Sequence, residues 1–140
     1  MQDIKYIEPT ALHEEMVRLR NEKKMDFLES LTGMDWGEPD EKDSPETVRG
    51  LGVVYHLEST TTGERMVVKT STINRESPEL PSVCDIWRAA EMNEREVYDY
   101  FGIIFAGHPD MRRLFLRNDW VGYPLRKDND PEKENPLRMT

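Results

Sequence analysis

Two alternating runs joined by a glycine-containing turn constrain this fold most. LGVVYHLES and ERMVVKTST each alternate apolar and polar residues over one strand length. At the period-two spacing of a strand, Leu51, Val53, Tyr55 and Leu57 share one face. TTTG lies between the two runs and supplies the turn. The pattern therefore predicts an antiparallel hairpin with one buried side.

A helical pattern precedes the hairpin. Leu12, Met16 and Leu19 recur at i, i+4 and i+7, which places them on one stripe of a helix. Thr10 can cap this helix at its start, and the pattern extends to about Lys23. The sequence predicts a helix whose apolar stripe packs on the sheet.

The segments on either side of the hairpin give weaker signals. The apolar patch at residues 25–31 predicts a short helix or turn, followed by a strand that ends near Trp36. Charged, proline-containing loops flank the hairpin at 37–49 and 73–81. Ser82 follows a proline and can cap a short helix over SVCDIWRAAE.

A second helix is predicted over the run EREVYDYF. Asn93 can cap it, and Glu96 three residues later completes a capping box. Val97 and Phe101 lie at i and i+4 and form its buried stripe. Gly102 can end the helix in a left-handed conformation.

Strands followed by helices indicate an α+β fold, with a mainly antiparallel sheet packed with helices and an extended C-terminal arm. We expect an α+β core domain over residues 1–111 and an extended docking arm and tail over residues 112–140. Few residues of 112–140 can join an apolar core, so we expect that part to be mobile in the isolated protein.

Charge is unevenly distributed along the 140 residues, whose formal net charge is −9. Residues 38–46 hold five acids and one lysine. The overall acidity argues against general binding of nucleic acid, which rewards basic surfaces. No apolar run approaches the length of a membrane span. Against this background, one C-terminal stretch concentrates cations: Arg112, Arg113, Arg117, Arg126 and Lys127.

Metal, nucleotide and thiol chemistry all lack their patterns. The three histidines have no ligand spacing with one another or with cysteine, and HEEMV at His13 has Val17 where a zinc protease needs histidine. Cys84 is the only cysteine, so it can neither form an internal disulfide nor hold a cluster. No phosphate-binding glycine motif is present. We therefore expect no metal and no cofactor on this chain.

Paired carboxylates are the remaining route to catalysis. Glu94, Glu96 and Asp99 fall in one predicted helix, and His108 follows in a Gly-His-Pro turn. Glu96 and Asp99 lie at i and i+3, so they could act as an acid/base pair in a stand-alone hydrolase or transferase. Acids in the first turns of a helix are also favoured by its dipole, and Arg95 can neutralise one of them. The favoured interpretation is capping and salt bridging.

The strip RRLFLRNDWVGYPLRKD interleaves cations, Trp120, a tyrosine and a proline without periodicity. Such a backbone must lie against something that satisfies its polar groups, and arginine and tryptophan are enriched at interface hot spots. The strip thus indicates docking on another protein. A loop wrapped back on its own domain and an RNA-binding arm are the alternatives.

The run EREVYDYFGIIFAGHPDMRRLFLRNDWVGYPLRKD resembles the signature of the C-type subunit of respiratory complex I, the NADH–quinone oxidoreductase. LTGMDW, GLGVVYHLES and LPSVCDIWRAAEMNEREVYD precede it in the family's order. The resemblance covers about residues 10 to 128. Phe115 departs from the family's usual pair of aliphatic residues after the double arginine. Related subunits also occur in membrane-bound hydrogenases and formate hydrogenlyases.

The resemblance implies a non-catalytic peripheral-arm subunit that scaffolds the quinone-reducing module and binds no cofactor itself. NADH, flavin, iron–sulfur clusters and quinone would belong to partner subunits. The nearest partners would be the quinone-site subunit and the subunit with the terminal iron–sulfur cluster. The implied location is peripheral, on the cytoplasmic side of the inner membrane. The residues expected to contact partners are His108, Arg112, Arg113, Arg117, Trp120, Arg126 and Lys127.

Overall fold

A computed structural model of the protein describes residues 3–117 and 120–129. Two helices and six strands follow one another along these residues. They are β1 (Asp3–Tyr6), α1 (Pro9–Glu22), β2 (Phe27–Asp35), β3 (Leu51–Glu58), β4 (Arg65–Thr72), β5 (Glu79–Pro81), α2 (Ala90–Phe101) and β6 (Ile104–Ala106). In this part of the chain no helix is long and apolar enough to cross a membrane.

The main sheet has four strands in the order β1-β4-β3-β2. The predicted hairpin is present, with β3 antiparallel to β4 and Tyr55 opposite Val68. β2 continues the antiparallel arrangement beside β3, whereas β1 pairs parallel to β4. β5 and β6 form a separate, parallel pair. The α+β fold with a mainly antiparallel sheet is confirmed.

Both predicted apolar faces are buried. The four alternating residues of β3 and the stripe of α1 have almost no exposed surface: Leu51, Val53, Tyr55, Leu57, Leu12, Met16 and Leu19. α2 lies close to β2, because a Cβ added at Gly33 would come within 2.6 Å of the Phe101 ring. Glycine at that position therefore lets the helix approach the sheet.

The N-terminal elements differ from the prediction in two places. α1 begins at Pro9 with Glu8 as its N-cap, so Thr10 lies inside the helix. Proline suits the first helical position, where its missing N–H costs nothing. Residues 27–31 are strand rather than a short helix or turn, because they pair with β3 through a bulge between Leu28 and Ser30. Tertiary pairing outweighs the local pattern there.

The segment before α2 also differs. Residues 82–89 form turns instead of a helix, and α2 begins at Ala90, so Asn93 is an interior residue and not its cap. The Glu94 side chain accepts hydrogen bonds from Ser82 and Val83 and holds the segment in its turns. The predicted end is confirmed, since Gly102 has φ of 76°.

Candidate partner-docking site

The helix α2 carries two fully buried carboxylates, Glu94 and Asp99. Glu96 is exposed on the same helix. The pairing of Glu96 with Asp99 as an acid/base couple is therefore wrong, because one side chain faces solvent and the other the interior. Each buried acid is instead bound to a different segment of the chain.

Glu94 fixes the turn that precedes its helix. The Ser82 hydroxyl donates to Glu94 Oε1 at 2.5 Å, and the Val83 N–H donates to Oε2 at 2.9 Å. Burial raises the pKa of the Glu94 carboxyl to about 7, although both hydrogen bonds act to lower it. Burial and the nearby Glu94 also raise the pKa of the Tyr55 phenol, whose oxygen has no hydrogen-bond partner among the described residues.

Asp99 fastens the start of the C-terminal arm, a name used here for residues 112–129. One carboxylate oxygen of Asp99 accepts the backbone N–H groups of Leu114, Phe115 and Leu116 at 3.2, 2.7 and 3.0 Å. The other oxygen accepts from Arg113 Nη1 at 3.0 Å. We call this arrangement the Asp99 clamp. It turns the backbone around one buried charge and satisfies N–H groups that otherwise need water.

Arg113 extends the clamp across the arm. Its second terminal nitrogen donates to the Gly122 carbonyl at 2.9 Å, and its guanidinium lies 4.9 Å from the Tyr123 ring centre. The side chain is almost fully buried. Arg95 donates to the carbonyls of Arg112 and Arg113, so it supports the arm backbone rather than neutralising a helix acid.

A second polar network holds the far end of the arm. Asp35, at the end of β2, accepts two bonds from Arg75 at 3.0 and 2.6 Å and the Lys127 N–H at 2.8 Å. Burial alone would raise the pKa of the Asp35 carboxyl, but Arg75 and the backbone donors outweigh it and hold that pKa below its ordinary value. Arg126 lowers the pKa of the Asp128 carboxyl to about 2. Burial alone would raise this pKa, and Arg75 lowers it further.

The described part of the C-terminal arm is therefore tied to the core by polar contacts at both ends. The expectation that residues 112–140 are mobile in the isolated protein rests on apolar burial alone and stays a prediction. Between its two ends, the arm also packs closely on the core at Gly102, since a Cβ added there would lie 2.7 Å from the Tyr123 ring. Residues 118–119 and the tail from 130 lie outside the described residues.

His108 is likewise held within the chain. Its Nδ1 accepts the Asp110 N–H at 2.9 Å, so Nε2 carries the proton and donates to the Glu91 carbonyl at 2.8 Å. The histidine thereby joins the turn after β6 to the start of α2. It shares no hydrogen bond with the carboxylates of Glu94 or Asp99, so the catalytic group of the stand-alone-enzyme alternative is not assembled.

The expected contact residues fall into two sets. Arg113 and Arg126 are nearly buried, and Trp120 is half-buried. The Arg112 side chain is 70% exposed and pairs with the half-buried Asp110. Arg117 makes an interaction within the chain. Arg112, Arg117 and Lys127 are the exposed cations of the set. Contact of all these residues with partners stays a prediction.

Exposed apolar side chains on and beside the arm were not predicted as a site. Phe115 is 60% exposed and stacks on Tyr100 with ring centres 6.1 Å apart. Leu125 is also exposed, and its N–H donates to the Tyr100 carbonyl. We call Tyr100, Phe115 and Leu125 the arm face. A small cleft of about 100 Å³ beside it is lined by Leu31, Val97 and Leu125.

Fold and site together define a small α+β domain with a clamped C-terminal arm that displays apolar side chains. Similarity to known families narrows its class. Residues 5–135 match the family model described as respiratory-chain NADH dehydrogenase, 30 Kd subunit. The chain belongs to this family.

Three similar proteins illustrate the range of relatives. The C/D subunit of the NADH-quinone oxidoreductase of Bacteroides fragilis is 76% identical over 139 residues, which are 99% of this chain and 26% of that protein. A solved trypsin-resistant fragment of Nqo5 is 35% identical, with a TM-score of 0.62, covering 75% of this chain and 79% of that one. A chain of an archaeal membrane-bound sulfane sulfur reductase is 27% identical, with a TM-score of 0.71, covering 95% and 78%. The chain thus spans about a quarter of the length of the curated C/D relatives that it matches.

Proposed function

We propose that this chain is a non-catalytic subunit of the peripheral arm of a proton-translocating NADH–quinone oxidoreductase, where it scaffolds the quinone-reducing module. One observation carries the proposal. The C-terminal arm is clamped at both ends by buried carboxylates and yet leaves the arm face exposed. A fixed backbone that presents apolar side chains loses little entropy on docking, which suits a permanent assembly surface.

In this proposal the chemistry resides in partner subunits, which hold NADH, flavin, iron–sulfur clusters and quinone. The buried acids of this chain support that division of labour, because Glu94 and Asp99 are both engaged in structural hydrogen bonds. In the described residues, no group of three or more histidine, cysteine, aspartate or glutamate side chains could hold a metal ion.

The nearest partner in the proposal is the quinone-site subunit, followed by the terminal iron–sulfur subunit. The C/D name of the Bacteroides relative supports the first assignment, since it joins a C-type and a D-type region in one protein. Attachment to the membrane would come only through the complex, peripherally on the cytoplasmic side of the inner membrane. The exposed Arg112 would meet an acidic group of a partner and fix the register of docking.

A second candidate is the equivalent subunit of a related membrane complex with a different redox partner, such as a membrane-bound hydrogenase or formate hydrogenlyase. The similarity to a chain of the archaeal sulfane sulfur reductase supports this second candidate, because it covers 95% of this chain.

Purification of a tagged chain from gently solubilised native membranes tests the proposal. Co-purification of quinone-module and NADH-oxidising subunits, identified by mass spectrometry, is the expected result. Recovery with nickel-site subunits would support the second candidate. Recovery of the chain alone would reject both.

A further inference from the structure

A groove of about 850 Å³ lies at the end of the main sheet. It forms between the end of β1, the start of α1, the loop 39–49 and the end of β4 with Ile73. Its apolar lining includes Tyr6, Pro9, Val48 and Ile73, and the Ile73 side chain is 67% exposed. No residue of the C-terminal arm, as far as the structure describes it, lines the groove. The groove is thus a separate surface from the arm face.

The edge of the sheet beside this groove is open in the described residues. β1 is the last strand of the sheet and pairs with β4 alone. The Ile7 N–H donates to the Lys69 carbonyl at 2.9 Å, so by alternation Lys5 also points to β4. The backbone N–H and carbonyl groups of Ile4 and Tyr6 therefore face outward. A row of unpaired backbone groups is a template for another strand.

The open edge leads into the groove. Tyr6 is both the last residue of β1 and part of the groove lining. Its hydroxyl lies 3.3 Å from the Ser71 hydroxyl, which holds the ring across the end of β4. An extended segment paired with Ile4 and Tyr6 would continue directly over Tyr6 and Ile73. Edge pairing and side-chain burial would then act on the same segment, as in strand addition.

The charge of the lining selects the kind of segment. Arg49 donates to both carboxylate oxygens of Asp43 at 2.7 Å, so these two charges cancel. Glu8, Asp40 and Glu46 remain as excess negative charge around the groove. The start of α1 contributes a partial positive charge of roughly half an elementary charge. Three carboxylates exceed it, and the groove favours a basic occupant.

We propose that an extended, lysine- and arginine-rich segment of a partner subunit adds to the open edge of β1 and places its apolar side chains in this groove. The identification of the occupant as a partner subunit rests on the proposed function. In this proposal the acidic run at 38–46 attracts the basic segment, whereas docking through the arm face does not involve that run. Backbone pairing supplies affinity, and the acidic rim supplies the choice of segment.

Photo-crosslinking in the intact complex tests this proposal. The chain carrying Ile73→p-benzoylphenylalanine is purified with its complex from native membranes and irradiated, and the attached peptide is sequenced by mass spectrometry. The same probe at Phe115 reports on the arm face, and at Met92 on an exposed apolar position outside both surfaces. We expect the probe at position 73 to capture a partner segment with an excess of lysine and arginine, and the probe at 92 to capture none.

Charge reversal then tests the selection of the segment. Asp40→Lys with Glu46→Lys leaves the Arg49–Asp43 pair intact and reduces the yield of this crosslink about tenfold, because like charges then face each other. Glu64→Lys with Glu76→Lys makes the same change in net charge at exposed positions outside the groove, and we expect it to leave the yield unchanged. Equal melting temperatures of the two double variants exclude unfolding as the cause.

The outcomes separate the two proposals. If position 115 captures a partner while position 73 captures nothing, only this chain, or an acidic segment, the groove proposal is wrong and the proposed function stands. Survival of the crosslink in the Asp40→Lys, Glu46→Lys variant also overturns the groove proposal. If neither position captures a partner, the proposed function fails with it.

Discussion

The Arg113 guanidinium and the Asp99 carboxylate lie 3.0 Å apart in the interior, and the same carboxylate gathers three consecutive backbone N–H groups. One buried charge thereby sets both the path of the arm and the position of Phe115. Removing one partner of a buried ion pair is costly, because the other charge then loses its compensation. In the proposed function, docking through the arm face would depend on this clamp.

Asp99→Asn should release the start of the arm. The amide keeps the size of the carboxylate, but its NH₂ group would face either Arg113 or the backbone donors, so one set of donors loses its acceptor. We expect a loss of about 3 kcal/mol in the free energy of unfolding. Hydrogen exchange at the amides of residues 114–116 should accelerate more than hydrogen exchange in the strands. Asp110→Asn, at an exposed pair with Arg112, is the control and should change little. Unchanged exchange at 114–116 in Asp99→Asn would show that the clamp does not hold the arm.

Comparing Gly102→Ala with Gly63→Ala should distinguish the cost of a left-handed backbone from the cost of contact with the arm. Gly102 and Gly63 have nearly equal φ, 76° and 77°, but only Gly102 has a neighbour within 4 Å, the Tyr123 ring. Gly63→Ala should cost about 1 kcal/mol for the left-handed backbone. Gly102→Ala should cost about 1–3 kcal/mol more, because the methyl group overlaps the ring.

Urea unfolding measures both glycine variants. Tyr123→Ala in the Gly102→Ala background should recover most of the additional cost. Equal losses for the two single variants would mean that Tyr123 does not pack on Gly102 in solution.

Glu94 should make the protein less stable as pH rises toward neutrality. Its pKa in the folded chain is about 7, above the ordinary 4.5, so folding favours the protonated form. This contribution is complete below pH 4.5 and is lost as pH rises through 7. The change is on the order of 3 kcal/mol over the whole window. Glu94→Gln should abolish it.

The comparison of unfolding free energies at pH 5, 6 and 7 isolates Glu94, because the histidines are common to both proteins. Asp35 and Asp128 have lowered pKa values, so their contributions are present above about pH 4 and are lost only in more acidic solution. They do not overlap this window. A wild-type protein and a Glu94→Gln variant with the same pH dependence would contradict the burial of a titrating carboxyl.

Arg75→Lys should weaken the attachment of the far end of the arm. Arg75 binds Asp35 through two nitrogens and also reaches Asp128, a geometry that lysine cannot reproduce. We expect a loss of about 1–3 kcal/mol in urea unfolding. Arg65→Lys, at an exposed pair 3.7 Å from Glu58, should change little. Similar effects of the two substitutions would argue against a special role for the Asp35 network.

Local patterns predicted the parts of the fold that they determine. The hairpin, the buried faces of β3 and α1, and the left-handed end of α2 at Gly102 follow from alternation, helical spacing and glycine. β1, β5 and β6 have only three or four residues each and no alternation long enough to detect. Their pairing depends on strands far away in sequence.

The site depended still more on tertiary structure. The pattern predicts helix capping and salt bridging for the acids of EREVYD. Because α2 starts earlier, Glu94 and Asp99 lie in its interior and bind other segments, and Asp99 forms a salt bridge with Arg113. Asp35 and Arg75 are 40 residues apart, and no pattern links them before the chain folds. Phe115 was noted only as a departure from the family. Its exposure follows from the backbone path that the Asp99 clamp sets, and no local pattern predicts that path.

The most direct test of docking through the arm face changes that face without touching its clamp. Phe115→Asp with Leu125→Asp, carried on a tagged chain in native membranes, is compared with Phe27→Asp, which alters an exposed aromatic side chain elsewhere. We predict that the arm-face variant keeps its melting temperature but loses the partner subunits and quinone reductase activity, while the control keeps both. Recovery of the arm-face variant with a full set of partners and normal activity would contradict this prediction.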